Sequence, residues 1–128
     1  MRKGIIGLMF ALLVSIGLTG ATARPTMAAE TSCTMIYTDY VCTSGILSAN
    51  PKYHALYAEA SAWSAGRINC WVHDAANWVI VARLTSTSHT ATQKIRGLYG
   101  TYFIGCAQGS SNWGSGDGLI SNDDWRFH

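Results

Sequence analysis

Four cysteines, Cys33, Cys42, Cys70 and Cys106, constrain more strongly than any other feature what this 128-residue chain can fold into. Whether they are oxidised depends on compartment, and the N-terminus bears on that. Residues 1–3 are Met-Arg-Lys, residues 5–18 form an apolar run, and residues 19–29 are rich in small side chains. A basic head, an apolar segment too short for an ordinary membrane span and a small-residue tail are the parts of a secretory signal peptide. Cleavage is expected between residues 23 and 29, after Ala23, Ala28 or Ala29, leaving residues 30–128 as one secreted domain. In an oxidising compartment two disulfides are then expected. They are needed too, because a domain of about a hundred residues buries only roughly 60–70% of the surface its unfolded chain exposes.

Of the three pairings four cysteines allow, Cys33 with Cys42 and Cys70 with Cys106 is preferred. The first pair would close a short loop between residues 34–37 and 40–41, whose strand-forming composition reads as a hairpin over residues 32–44. The second follows from side-chain direction. Ile68, Cys70 and Val72 alternate with Arg67, Asn69, Trp71 and His73, and Tyr102, Ile104 and Cys106 share one face of a second strand. Both cysteines thus point to the apolar side. Residues 78–84 are apolar on both faces at their start, as a central strand would be, and residues 43–50 and 107–124 read as loops.

Residues 51–65 carry two competing periodicities. Asn50 as N-cap, Pro51 at the first helical position and Gly66 beyond the end suit a helix with Tyr53, Leu56, Tyr57, Ala60 and Trp63 on one stripe. As a strand, the segment would set Leu56, Ala58, Ala60 and Ala62 against Tyr53, Tyr57 and Trp63. The helix is the preferred reading. The expected fold is therefore mainly β, a small disulfide-braced antiparallel sandwich or barrel with one helix over 51–65.

Residues 30–128 carry six basic and seven acidic side chains, a net charge of −1. That balance offers no electrostatic reason for a nucleic acid or anionic membrane partner. No other apolar run approaches a membrane span, so the processed protein is expected to be a soluble monomer. His54, His73, His89 and His128 occur at no zinc-motif spacing, no C-x-x-C is present, and neither a metal nor another cofactor is expected. Asp117, Asn122, Asp123 and Asp124 are oxygen donors of the kind Ca²⁺ takes, but at the wrong spacing for an EF-hand loop. The stretch 114–116 lacks the G-x-S-x-G frame of a nucleophile elbow, and a glycosidase pair would have to bring together aspartates such as Asp74 and Asp117.

With charged residues at 12% against the usual roughly 25%, the surface must be built from Ser, Thr, Asn, Gly, Tyr and Trp. If Ile68, Cys70 and Val72 face inward, Trp71 faces outward beside His73, and a Trp so placed is a stacking platform or interface anchor. Trp113, between Asn112 and Gly114, is a second candidate. Against this, residues 51–65 could cover Trp71, since Tyr57 and Trp63 need packing partners. The leading expectation is a binding protein for a cell-surface glycan or protein. Small secreted bacteriocins and toxins share the N-terminal signal and the Trp/Tyr/Gly composition, which makes an antimicrobial role the first alternative. A small hydrolase is the second.

Overall fold

The computed structural model describes residues 29–36, 39–63, 66–87, 89–109 and 115–128. The expected signal peptide and Trp113 lie outside these residues. Among them nine strands form two antiparallel sheets: β1 (Glu30–Met35), β2 (Val41–Thr43), β3 (Leu47–Ser48), β4 (Ala55–Ala62), β5 (Arg67–Asp74), β6 (Ile80–Thr87), β7 (Thr90–Arg96), β8 (Thr101–Gln108) and β9 (Gly116–Ser121). A 3₁₀ turn, Asp124–Phe127, closes the chain. The first sheet runs β1-β9-β4-β7 and the second β2-β8-β5-β6, with β3 also paired to β8. The sheets pack as a sandwich rather than a closed barrel.

The alternation expected in β5 and β8 holds. Ile68, Cys70 and Val72 are buried, as are Tyr102, Ile104 and Cys106, while Arg67, Asn69, Trp71 and His73 lie on the opposite face. The facing sheet contributes Met35, Leu56, Ala58, Ala60, Ile95 and Ile120. Burying each of the larger side chains is worth roughly 1.5–3 kcal/mol.

Both disulfides are present in the preferred pairing, Cys33–Cys42 and Cys70–Cys106. Cys106 sits directly between Cys42 on β2 and Cys70 on β5 in the register of the second sheet. The Sγ atoms of Cys33, Cys42 and Cys106 lie within 4.8 Å of one another. Because all three are held in disulfides, they are not available as thiolate metal ligands.

Five expectations are corrected. Residues 43–50 are not all loop, since Leu47 and Ser48 form β3, paired with Tyr102 and Thr101 of β8. Residues 51–65 form no helix: Asn50 Oδ1 does accept from the Lys52 and Tyr53 amides, both at 2.8 Å, as an N-cap would. The turn ends at His54, which has a positive φ of 51°, and β4 begins at Ala55. Its backbone is then paired by β7 on one side and β9 on the other, and that pairing overrides the helix propensity of its alanines. Residues 32–44 are not a hairpin, because β1 pairs β9 and β2 pairs β8 in the other sheet. The Cys33–Cys42 bond therefore staples the two sheets together. Residues 107–124 are not all loop, since they contain β9, an interior strand of the first sheet. Residues 78–84 do not form a central strand: Trp78 and Val79 precede β6, and β6 is an edge.

Candidate functional site

The outer face of the second sheet carries Trp71 and His73, the described residues among the aromatic candidates singled out from the sequence. The register places Trp71 between Gly105 on β8 and Arg83 on β6, with Thr43 of β2 beyond Gly105. The adjacent row holds Ala107, Asn69 and Thr85, and Thr85 Oγ1 donates to Asn69 Oδ1 at 2.8 Å. Gly105 and Ala107 leave a low floor on one side of the Trp71 indole. Trp71 and His73 are both half-buried, and β4, which could have covered Trp71, belongs to the other sheet.

His73 is paired with Phe103 across the β5–β8 ladder. Their rings stack at 4.8 Å and 12°, and Trp78 meets Phe103 edge-on at 5.2 Å and 74°. Phe103 is thereby only 7% exposed although it points away from the core, whereas Trp78 is 70% exposed. The turn over residues 74–79 holds Trp78 in this position. Trp78 N donates to Asp74 O at 2.8 Å, Ala76 N to Asp74 Oδ1 at 2.8 Å, and Val79 N to Asn77 Oδ1 at 3.0 Å. Trp78 itself has φ of 64°. A bulky side chain in the left-handed region is an outlier, and such strain clusters at ligand-binding positions. Asp74 to Asn77 read as a turn from the sequence, and the side chains of Asp74 and Asn77 do bond back to the backbone, but sequence reading misses Trp78 because it starts the strand there rather than at Ile80.

The other candidates do not converge. Asp74 ends β5 in one sheet and Asp117 begins β9 in the other, so they form no carboxylate pair. Of the four oxygen donors, Asn122 spends its amide on Ala29 N (2.7 Å) and Ser48 O (2.9 Å), and Asp124 accepts from Asn50. Asp123 bonds Ser121, and Asp117 lies at the far end of β9. The imidazoles of His73 and His89 bond the backbone carbonyls of Trp78 and Thr87, while His54 and His128 meet the rings of Tyr99 and Tyr53. None of these contacts is the base–orienter pair a nucleophilic site requires.

The outer face of the first sheet carries a carboxylate pair that sequence reading did not find. Glu59 faces Leu119, and Asp117 faces Ser61 two register positions along, on the same face. Tyr57 OH donates to Glu59 Oε1 at 2.9 Å. Burial pushes the Asp117 carboxyl above the usual aspartate range; the Trp63 indole N–H opposes that shift and the Glu59 charge adds to it. A carboxyl whose folded pKa exceeds its unfolded value binds more protons when folded, so its contribution to stability falls as pH rises through that interval. Asp117→Asn is therefore expected to melt higher than wild type at pH 7, with the gap closing below about pH 4, where the ordinary aspartate is protonated. Melting curves at the two pH values test this, and a variant less stable than wild type at pH 7 refutes it.

No protein-family model and no curated protein matches the sequence. Among solved structures, a family two carbohydrate esterase from Cellvibrio japonicus overlaps 75% of this chain at 12% identity and a TM-score of 0.34. The chain spans about a third, 34%, of that structure's length. An overlap this shallow carries no argument about fold or activity.

Proposed function

We propose that the domain is an exported binding protein that engages a cell-surface glycan or protein through the outer face of its second sheet. The observation that carries this reading is the aromatic cluster of His73, Phe103 and Trp78, in which exposed Trp78, at a positive φ, packs against His73, the next residue after Trp71 on the same face of β5. Large, rigid aromatic surface next to neutral polar groups supplies contact area with little entropy loss. Asn69, Thr85 and Thr43 are neutral partners for ligand hydroxyls or amides, and the formal charges the register places on this face are Arg67 and Arg83. Two disulfides suit an extracellular setting. Among the described residues no helix is long and apolar enough to cross a membrane.

The test is a binding screen of residues 30–128 against cell-wall fractions and glycans, followed by variants on whichever target is found. Trp71→Ala and Trp78→Ala are each expected to weaken binding about 10- to 30-fold, the range of an interfacial hot spot. Affinity should change little between low and physiological salt, because few ion pairs are available to be screened. Folded variants that bind like wild type, or an affinity that collapses with salt, refute the aromatic-face reading. Growth inhibition of competitor cells by the purified domain, lost in the same variants, would make the binding antimicrobial.

A further inference from the structure

One end of the sandwich holds a cavity of about 320 Å³ whose lining includes Ser48, Pro51, His54, Tyr99, Gly100 and Thr101. Its size is at the lower limit of small-ligand sites, enough for a single ring rather than a chain. The wall is an aromatic pair, with His54 and Tyr99 stacked at 4.3 Å and 28°. Tyr99 is 77% exposed. His54 is locked from both sides, its N–H donating to Asn50 O at 2.8 Å and its carbonyl accepting from Leu98 N at 2.9 Å. The backbone that carries the imidazole facing Tyr99 is thus held in place.

The chemistry of the lining selects a neutral, hydroxylated ligand. It includes no carboxylate, lysine or arginine. Among the described residues the hydroxyls of Ser48, Tyr99 and Thr101 make no hydrogen bond, so each is available to one. The Asn50 amide is not: its Nδ2 donates to Asn122 O and Asp124 Oδ1, and its Oδ1 accepts from Lys52 and Tyr53. Pro51, Leu98 and the two aromatic rings offer an apolar surface suited to the C–H face of a sugar.

The cavity shares a strand with the aromatic face, because its lining residue Thr101 begins β8, which also carries Phe103. Ser48 and Thr101 are register partners, and Thr101, Phe103 and Gly105 point to the same side of β8 because side chains alternate along a strand. Ala75 N donates to Thr101 O at 2.8 Å, which ties the turn bearing Trp78 to the cavity wall. From Thr101 to Gly105, beside Trp71, is four residues of strand, roughly 13 Å at about 3.3 Å each. We infer that this cavity is a terminal subsite that receives one ring of a neutral oligosaccharide, whose following rings cross the exposed Trp78 toward Trp71. This rests on the binding function proposed above and names its ligand class.

The experiment uses residues 30–128, ¹⁵N-labelled, titrated with N-acetylglucosamine oligomers and with cello-oligosaccharides of increasing length. Single rings are expected to shift the backbone amides of Leu98, Tyr99 and Gly100 and to leave the indole signals of Trp71 and Trp78 in place. Hexamers should shift both sets and bind at least tenfold tighter than single rings. Tyr99→Ala, at an exposed position, should weaken hexamer binding about tenfold while the indole shifts persist, and Thr101→Val should weaken it in the same direction. Hexamers that shift only the indoles, with Tyr99→Ala binding like wild type, overturn the terminal subsite and leave the aromatic-face reading standing. Shifts confined to the cavity overturn the shared path and the aromatic-face reading together. If no length of either series shifts any of these signals, the neutral-saccharide assignment is wrong.

Discussion

Gly118→Ala is expected to destabilise the domain by about 3 kcal/mol, at the upper end of what overpacking a core costs. Gly118 lies on the inner face of β9, opposite the second sheet. A Cβ there would run into Cys106 Sγ and lie 3.2 Å from both Cys70 Sγ and Ile104 Cδ1. A flexible side chain could turn aside, but these sulfurs are bonded to each other and anchored on two paired strands. The sheets would have to separate locally, or β9 would have to shift in its register with β4 and β1. Urea unfolding compares the variant with wild type, and a midpoint within error of wild type refutes the close packing. A double-mutant cycle identifies the cause. In a background where Cys70 and Cys106 are both alanine, the obstructing sulfurs are gone and Gly118→Ala should cost distinctly less.

Removing the Cys70–Cys106 bond by replacing both residues with alanine is the other large effect. The bond closes a sequence separation of 36, and the chain-entropy model puts the loss at about 3.8 kcal/mol. The same model gives about 2.6 kcal/mol for Cys33–Cys42, whose separation is 9. Against the roughly 5–15 kcal/mol that holds a domain folded, either loss is severe. The order is the discriminating outcome: the Cys70/Cys106 variant should unfold at lower urea than the Cys33/Cys42 variant. The reverse order would mean that stapling the two sheets at β1 and β2 matters more than the length of chain enclosed. The described residues contain no free cysteine, so thiol titration of the denatured, unreduced wild type should find no reactive sulfhydryl.

Where the sequence was legible, a local pattern and the tertiary requirement coincided. In β5 the alternation of Ile68, Cys70 and Val72 with Asn69, Trp71 and His73 is both a strand signal and a statement of which side faces the core. The same is true of Tyr102, Ile104 and Cys106, so the disulfide joining those strands could be anticipated from direction alone. The candidate site was half legible for the same reason. Trp71 and His73 could be placed on an outer face by parity, but Phe103 and Trp78 could not be placed beside them. Phe103 joins them only through the pairing of β8 with β5, and Trp78 only through a turn that holds it at a positive φ.

Composition and spacing by themselves determined the mainly β class, the Cys70–Cys106 pair and the sides of the two strands that carry it, whereas the Cys33–Cys42 pair is present although the hairpin from which it was read does not form. They did so because each rests on properties of neighbouring residues or on a period of two. Tertiary structure decided the rest. Residues 50–54 contain the capping chemistry of a helix and use it for one turn, after which hydrogen bonds from β7 and β9 on either side make β4 a strand. Gly116 and Gly118 read as loop residues in isolation, yet β9 runs through the interior of a sheet. Its glycines are required there because Ser61 O and the Cys70–Cys106 sulfurs come too close for a side chain. Such contacts join residues far apart in the chain, and no local pattern of side chains records which backbone will approach which.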